Sequence, residues 1–206
     1  MKIILIGPPG SGKGTQAEML KQKLNIPHIS SGDILRSEVA RGTEFGKLIK
    51  GFMDKGEIGP QELITEVVLK YLDENCSSGF IFDGFPRTLY QAEKLSEKHP
   101  DAKAILIQVS DEEIINRITG RRICPQCNKI FNIANKPPKK AGICDNCGTA
   151  IVQRSDDNLQ TIRTRIQVYN NDTKPVIDFY DKKKLLRIID GKKDSIKIFS
   201  EICNTM

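Results

Sequence analysis

Residues 7–15 read GPPGSGKGT and stand directly behind the apolar run IILI at residues 3–6. A short buried strand, a glycine-rich turn and a helix, in that order, form a phosphate-binding loop. Glycines let successive backbone N–H groups point at one anion, the helix start adds the positive end of its dipole, and Lys13 adds a full charge. Apolar residues at helical spacing predict that helix, at Ala17, Leu20 and Leu24. An ordinary Gly/Pro turn with a stray lysine is disfavoured by the flanking strand and helix.

The end of this loop departs from the general pattern. A Ser or Thr normally follows the lysine directly, whereas here Gly14 stands between Lys13 and Thr15. The departure indicates a subfamily of phosphate-binding loops, and it leaves open whether Thr15 contacts magnesium.

Length and composition are those of an ordinary globular protein, and 206 residues are enough for one core with inserted subdomains. The net charge of +6 is compatible with a nucleic-acid partner, but clusters such as Lys182–Lys184 lack the interleaved aromatic residues that stack on bases. We therefore favour a solvated lysine-rich surface and a site for anionic phosphates. The first apolar run is too short for a secretory signal and no segment is long enough to cross a bilayer, so we expect a cytoplasmic protein.

Short apolar segments alternate with helical periodicity along the chain. Five of them predict strands, at residues 3–6, 26–30, 79–83, 104–109 and 185–189. Alternating strands and helices are typical of the α/β class, so we predict a five-stranded parallel sheet in a P-loop NTPase-like core, with helices on both faces. Ligands of such sheets bind beyond the carboxyl ends of the strands, where we expect Gly7, Asp83 and Arg87 to gather.

Two segments interrupt this alternation. Residues 34–59 carry regularly spaced glycines among basic residues, which predicts a small mobile lobe of short helices broken at glycines 42, 46, 51, 56 and 59. Residues 121–156 hold four cysteines and three prolines with almost no helical periodicity, which indicates an insertion stabilised by something other than an apolar core. Helical spacing returns at Leu159, and Pro175 is predicted to kink or end that helix.

The four cysteines of the second segment form two pairs, Cys124–x2–Cys127 and Cys144–x2–Cys147, separated by sixteen residues. This spacing is typical of a four-thiolate zinc site, because each pair lies on a turn that lets two sulfurs reach one ion. Four thiolates leave no open coordination position, so we predict a structural zinc. Cobalt or iron would suit the same ligands, and two disulfides are disfavoured in a cytoplasmic protein.

The remaining cysteines and histidines are isolated in the sequence. Cys76 and Cys203 have no partner at ligand spacing, and we expect them to be small buried hydrophobes. We assign no role to His28 and His99.

Six arginines stand at loop edges or beside predicted site turns: Arg36, Arg87, Arg121, Arg122, Arg154 and Arg165. Phosphoryl transfer depends on positioning, exclusion of water and positive charge around the transferred group. Guanidinium groups suit this task because they bind phosphate oxygens in pairs and keep their charge. A single arginine more often forms a surface salt bridge, but a set from three separate segments around one phosphate loop favours a phosphoryl-transfer site.

Five motifs together resemble the adenylate kinase family: GPPGSGKGTQA (7–17), SSGDILR (30–36), GFIFDGFPRT (79–88), GRR (120–122) and QRSDD (153–157). The resemblance covers essentially the whole chain, and the GKGT ending is this family's own variant of the phosphate loop. The length and cysteines of the second insertion resemble the bacterial long-lid type, whose lid holds zinc. The resemblance implies reversible phosphoryl transfer from MgATP to AMP, giving two ADP, in adenine nucleotide homeostasis.

The resemblance also divides the chain into three parts. It implies a core of residues 1–29, 60–120 and 159–206, an AMP-binding lobe of residues 30–59, and a zinc-containing lid of residues 121–158.

The resemblance implies a set of site residues. It places ATP on Gly10, Ser11, Gly12, Lys13, Gly14, Thr15, Arg117, Arg121, Ile130, Phe131 and Lys193. It places AMP on Ser31, Arg36, Met53, Glu57, Ile58, Gly59, Gly84, Phe85, Pro86, Arg87, Gln91, Arg154 and Arg165. It implies catalytic roles for Lys13, Arg36, Arg87, Arg121, Arg154 and Arg165, a water-mediated magnesium contact for Asp83, and zinc on Cys124, Cys127, Cys144 and Cys147.

Two alternatives stay open at this point. A related kinase would accept UMP or CMP, since base choice depends on a few hydrogen bonds, although Gln91 and the GFPRT turn favour AMP. A P-loop protein with a zinc ribbon would bind nucleic acid, but residues 129–140 offer only Phe131 for stacking, and the arginines would then be idle. We expect the partners to be ATP, AMP and ADP, without nucleic acid or membrane, and we expect a monomer.

Overall fold

The computed structural model describes residues 1–76 and 78–206. Its strands are β1 (Lys2–Ile6), β2 (His28–Ser30), β3 (Phe80–Asp83), β4 (Lys103–Gln108), β5 (Arg121–Ile123), β6 (Ile130–Asn132) and β7 (Leu186–Asp190). Its α-helices are α1 (Lys13–Leu24), α2 (Ser31–Arg41), α3 (Glu44–Lys55), α4 (Gln61–Asn75), α5 (Leu89–Lys98), α6 (Asp111–Thr119), α7 (Leu159–Val168), α8 (Lys174–Lys182) and α9 (Ser195–Asn204). A π-helical turn, Tyr169–Thr173, joins α7 to α8.

Five strands form one parallel sheet in the order β2-β3-β1-β4-β7, which confirms the predicted α/β class and its sheet. Ile4 in β1 lies between Phe82 in β3 and Ala104 in β4. Because all five strands run the same way, the segments that follow them share one edge of the sheet, where ligands of such folds bind.

Alternate residues of the sheet face two apolar layers. On one face, Ile4 and Phe82 pack with side chains from α2, α3, α4, α5 and α8. On the other face, Ile3 and Leu5 pack against α1 and α9. Each fully buried aliphatic side chain stabilises the fold by about 1.5–3 kcal/mol, so the sheet is a rigid support for the loops at its edge.

The lobe between β2 and α4 contains two helices rather than a series of short ones. Gly42 caps the end of α2 and Gly56 caps the end of α3, both in the left-handed conformation that favours glycine. Gly46 and Gly51 lie inside α3, so the prediction of breaks at these two glycines was wrong. A Cβ at Gly46 would come within 2.1 Å of the Glu38 carbonyl oxygen, so this glycine allows α2 and α3 to pack closely.

The chain stays helical on both sides of Pro175. The regular α-helix ends at Val168, the π-helical turn follows, and Pro175 lies in the first turn of α8. A proline fits there because the first N–H groups of a helix have no helical acceptor. The π-helical turn therefore takes the place of the predicted kink or end.

The cysteine-rich insertion has its own small sheet. Strands β5 and β6 pair antiparallel, with Arg122 opposite Phe131. Outside the insertion, Cys76 and Cys203 are half-buried and pack against the two apolar layers, so the prediction of small buried hydrophobes was only partly right. Over the described ranges 1–76 and 78–206, no helix is both long and apolar enough to span a bilayer.

Candidate active site

A cleft of about 1200 Å³ opens at the carboxyl edge of the main sheet. It extends from the phosphate loop past α2 and α3 to β6 of the insertion. All the residues that the sequence assigns to ATP, AMP or magnesium line this cleft. The fold thus brings together segments from the beginning, middle and end of the chain.

The phosphate loop presents free backbone N–H groups to the cleft. α1 begins after Gly12, which has a φ of 98° and supplies no side-chain cap. Without a cap, the first N–H groups of α1 point into the cleft together with the positive end of the helix dipole. A Cβ at Gly7 would lie 2.6 Å from the Ile107 carbonyl oxygen, so the loop lies tight against β4. This arrangement suits a phosphate group.

Lys13 lies deep in the loop. Its Nζ donates to the carbonyl oxygens of Gly7 and Pro8, both at 2.8 Å. Burial lowers the pKa of Lys13 to about 8, the nearby Asp83 carboxylate opposes that shift, and Arg87 and Arg121 add to it. A phosphate in the cleft would supply the negative charge that this lysine lacks.

The turn after β3 is tied to α2 and α5. Ser31 donates through Oγ to the Gly84 carbonyl oxygen at 2.7 Å, and Arg87 Nε donates to the same oxygen at 2.8 Å. Gln91 is buried, and its Oε1 accepts from the Arg87 N–H at 2.8 Å. The π-helical turn adds a contact that the sequence did not predict, because Thr173 donates to the Arg87 carbonyl oxygen at 3.0 Å. These bonds fix the backbone on both sides of Arg87.

Arg87 lies near other cationic side chains of the cleft. Its side chain is accessible to solvent and lines the cleft. Nearby protein atoms still displace part of its hydration and lower its pKa to about 10, and the neighbouring Arg165 and Arg36 act in the same direction. Several cations therefore face one another across the cleft, as expected of a site that binds polyanions.

Two arginines in the cleft are paired with buried carboxylates. Arg121 Nε donates to Asp157 Oδ2 at 2.8 Å, and its Nη2 donates to the other oxygen. Arg165 pairs with Asp156 and lies 3.7 Å from Asp157. Neither carboxylate was predicted from the sequence to have a role. The signal that could have found them is their position directly after the Arg154–Ser155 pair in the QRSDD motif.

The other arginines of the predicted set differ in their surroundings. Arg36 pairs with Asp33 at the start of α2. Arg154 has a buried Nε without a hydrogen-bond partner among the described residues, and burial lowers its pKa to about 10. Arg122 does not line the cleft, and it donates instead to the carbonyl oxygens of Thr119 and Arg121 at 3.2 and 2.7 Å. Arg122 is therefore the one arginine of the six that lies outside the cleft.

The loop after β7 is fastened to α6 and to α1, the helix that follows the phosphate loop. Arg117 Nη2 donates to the Gly191 carbonyl oxygen at 2.9 Å. Gln16 in α1 donates through Nε2 to the Ser195 carbonyl oxygen at 2.9 Å. Lys193 lies between these two points, and its side chain turns away to pair with Glu201. Lys193 is one of the residues that line the cleft.

Asp83 suits the magnesium contact that the sequence implies. It ends β3, and its Oδ2 lies 3.3 Å from the position of a Cβ built on Gly14. A side chain at residue 14 would therefore crowd the carboxylate, which gives a physical reason for glycine after Lys13. Carboxylate oxygen is a ligand that Mg²⁺ prefers, directly or through water.

The four paired cysteines fit a tetrahedral zinc site. Their sulfur atoms all lie within 4.8 Å of one another, and the Sγ–Sγ distance is 3.3 Å for Cys124–Cys147, 3.6 Å for Cys127–Cys144 and 3.7 Å for Cys127–Cys147. Zn–S bonds of about 2.3 Å in a tetrahedron place sulfurs roughly 3.8 Å apart, close to these distances. Hydrogen bonding with the side chain and backbone of Thr149 lowers the pKa of the Cys147 thiol to about 6, which favours the thiolate that binds metal.

Comparison with known proteins agrees with this site. A family model described as adenylate kinase matches residues 5–185. Adenylate kinases of Caldanaerobacter subterraneus subsp. tengcongensis and Clostridium acetobutylicum are 46% and 45% identical over 98% and 100% of this chain, and over 94% and 99% of their own length. An adenylate kinase of Archaeoglobus fulgidus is 47% identical over 98% of this chain and 96% of its own. The chain belongs to the adenylate kinase family.

Proposed function

We propose that the cleft transfers a phosphoryl group reversibly from MgATP to AMP, giving two ADP. The observation that carries this proposal is the meeting, in one cleft, of an uncapped phosphate loop with Lys13 and of arginines from separate segments of the chain. A cleft of about 1200 Å³ has room for two nucleotides.

The donor nucleotide occupies the phosphate-loop end of the cleft in this proposal. Residues 10–15 hold its phosphates through backbone N–H groups, and Lys13 contacts the transferred group. Ile130, Phe131 and the Lys193 backbone hold the adenine, while Arg117 and Arg121 contact the phosphates. Magnesium, when bound beside Asp83, would neutralise charge on the phosphates.

The acceptor nucleotide occupies the other end, between α2, α3 and the turn after β3. Because Gln91 Oε1 already accepts from the Arg87 N–H, its Nε2 is the atom left to donate to the base. The N1 atom of adenine accepts a hydrogen bond, whereas N1 of guanine carries a hydrogen, so the fixed amide favours AMP over GMP. Arg36 and Arg87 hold the phosphate that accepts the new bond.

The remaining arginines act on the group in transfer. Arg154 and Arg165 reach the phosphates from the insertion and from α7, and they add positive charge where charge develops. Arg165 and Arg121 are already oriented by Asp156 and Asp157, so these two side chains need little reorientation of their own when the nucleotides bind.

We propose three parts with the boundaries given above: a core, an acceptor lobe of residues 30–59, and a lid of residues 121–158. The lid and the lobe would close over the nucleotides and exclude water, which would otherwise accept the phosphoryl group. Zinc holds the lid together and takes no part in the chemistry, because four thiolates leave it no open position.

The cysteines and the cleft arginines also bear on the compartment and the partners of the enzyme. We propose a cytoplasmic monomer that uses small nucleotides only and binds no nucleic acid. The pattern of cysteines favours metal binding in a reducing compartment, and the cleft arginines are occupied by phosphates or carboxylates.

An acceptor panel tests the proposed function. The protein is incubated with MgATP and with AMP, UMP or CMP in turn, and ADP is measured. We expect ADP to form in the presence of AMP, two molecules for each ATP consumed. Transfer to UMP or CMP instead of AMP would indicate the related kinase, and binding of polynucleotide without transfer to any acceptor would indicate the zinc-ribbon alternative.

A further inference from the structure

The acceptor lobe touches α7 at one defined place. Thr161, in the first turn of α7, donates through Oγ1 to the Asp54 carbonyl oxygen at 3.0 Å. Thr161 is only 3% exposed, although it is polar. The contact joins residues that are 107 positions apart in the sequence. It therefore depends on the position of the lobe relative to the core.

The Asp54 carbonyl belongs to the last turn of α3, where helical N–H groups no longer reach the carbonyl oxygens. The N–H groups of Gly56 and Glu57 bond to the oxygens of Met53 and Phe52 instead. Within the described part of the chain, Thr161 is the donor that completes this turn. If the lobe moved away from α7, water would have to donate to the Asp54 carbonyl oxygen in place of Thr161.

Gly56 shows how close the approach is. Its Cα packs against α7 so tightly that a Cβ would lie 2.8 Å from the Thr161 carbonyl oxygen and 3.0 Å from Arg165 Cγ. Its φ is 79°, so it also turns the chain sharply after α3. The backbone of residues 57–59, which is proposed to hold AMP, follows directly.

The same contact reaches the phosphate-binding arginines. Arg165 lies one helical turn beyond Thr161 on α7, which places it on the same side of the helix. Its guanidinium pairs with Asp156, and Asp157 joins it to Arg121. In this arrangement of the lobe, a continuous series of contacts connects the end of α3 to the cations over the proposed phosphate site.

We infer that Thr161 is a positioning residue that docks the acceptor lobe on α7 and thereby holds the AMP-binding backbone of residues 57–59 at a fixed place relative to Arg165. The inference rests on the proposed function, because it assigns AMP to the lobe. Thr161 acts through other residues and touches no substrate in this scheme. Loss of its hydroxyl weakens the binding of AMP and leaves the binding of ATP unchanged.

The test uses two pairs of variants in the full-length protein. Thr161→Val removes the hydroxyl and keeps the branched shape. Its control is Thr164→Val on the same helix, where the hydroxyl bonds, among the described residues, only to the Gln160 carbonyl oxygen of its own helix, at 3.2 Å. Gly56→Ala places a methyl group against α7, and its control is Gly42→Ala, which has a similar φ of 65° and open space around the added Cβ. The controls carry the same chemical change without the contact.

We expect Thr161→Val to raise KM for AMP about fivefold, the effect of one lost hydrogen bond of ordinary strength, while KM for ATP stays the same. Gly56→Ala raises KM for AMP more than Gly42→Ala does. With AMP bound, amide hydrogen exchange at residues 57–59 becomes faster in Thr161→Val than in Thr164→Val. A purely structural role of Thr161 would change the melting temperature without this split between the two substrates.

Two results would overturn the inference: equal effects of Thr161→Val on both substrates, or an unchanged AMP affinity. AMP affinity is also measured by calorimetry without ATP, so the docking contact is tested even if no phosphoryl transfer occurs. Failure of the wild-type protein to form ADP from ATP and AMP would instead count against the proposed function.

Discussion

Asp157, whose side chain is fully buried, accepts hydrogen bonds from both Nε and Nη2 of Arg121. The pair joins the beginning of the proposed lid to its end. Two parallel bonds fix the plane of the guanidinium group as well as its position. Arg121 is thus held in place for a phosphate before any nucleotide arrives.

Removal of this buried charge should destabilise the protein. Asp157→Asn keeps the shape of the side chain but leaves Arg121 without its counter-charge, so we expect the free energy of unfolding to fall by about 3 kcal/mol. Urea denaturation measures the change. Glu97→Gln, in the exposed Lys94–Glu97 pair, is the control and should cost less than about 1 kcal/mol. Equal losses in the free energy of unfolding would show that the buried Arg121–Asp157 pair contributes no more to stability than the exposed Lys94–Glu97 pair.

The binding of ATP should depend on pH through Lys13. In the free protein the pKa of Lys13 is lowered to about 8, and nearby phosphates favour the charged form and raise it again. The complex therefore binds more protons than the free protein above about pH 8, so binding takes up protons there and the affinity falls as the pH rises. Calorimetry at pH 8.5 or so in buffers of different ionisation enthalpy measures this uptake. The Lys13→Met variant should lack it, and equal uptake by both proteins would contradict the assignment to Lys13.

Loss of one zinc ligand should lower the melting temperature more than it lowers the rate of phosphoryl transfer. Cys124→Ser removes a thiolate from the four-sulfur cluster, so we expect less bound zinc and a lower melting temperature, with activity largely kept at low temperature. Metal analysis of the purified protein and a thermal melt provide the readout. Cys203→Ser, outside the cluster, is the control and should keep its zinc. A full complement of zinc in Cys124→Ser would argue against the four-thiolate site.

Tyr180 offers a substitution that should stabilise the fold. Its ring is buried and packs 5.2 Å from that of Phe179, but its hydroxyl has no hydrogen-bond partner among the described residues. Burial without a partner is unfavourable for a hydroxyl, so Tyr180→Phe should raise the free energy of unfolding by about 1 kcal/mol. Tyr71→Phe, at a largely exposed position, should leave it unchanged. A clear loss of stability in Tyr180→Phe would mean that the hydroxyl has a partner, such as a bound water molecule.

Local features of the site could be predicted from the sequence alone. The strand, glycine turn and helix around Lys13 are contiguous, so their arrangement follows from spacing and backbone chemistry. The same holds for Cys124–x2–Cys127 and its second pair. The five strands were predicted from short apolar runs, with boundaries that differ from those observed by one or two residues.

Contacts between distant residues could not be predicted in this way. Asp157 lies 36 residues from Arg121, and Thr161 lies 107 from Asp54, so only the folded chain shows that they meet. Gly46 was misinterpreted for the same reason. A glycine that breaks a helix and a glycine that lets two helices touch look alike in sequence, and the neighbouring Glu38 backbone distinguishes them.

The transfer of a labelled phosphoryl group tests the proposed reaction most directly. ATP labelled at its γ-phosphate is mixed with AMP and the protein, and we expect the label to appear in ADP, one label for each AMP consumed. Lys13→Ala should slow this transfer by about a hundredfold or more at an unchanged melting temperature, because it removes a charge aimed at the transferred group. Release of the label as inorganic phosphate in the presence of AMP, or near-normal transfer by Lys13→Ala, would contradict the proposed reaction and the role of Lys13.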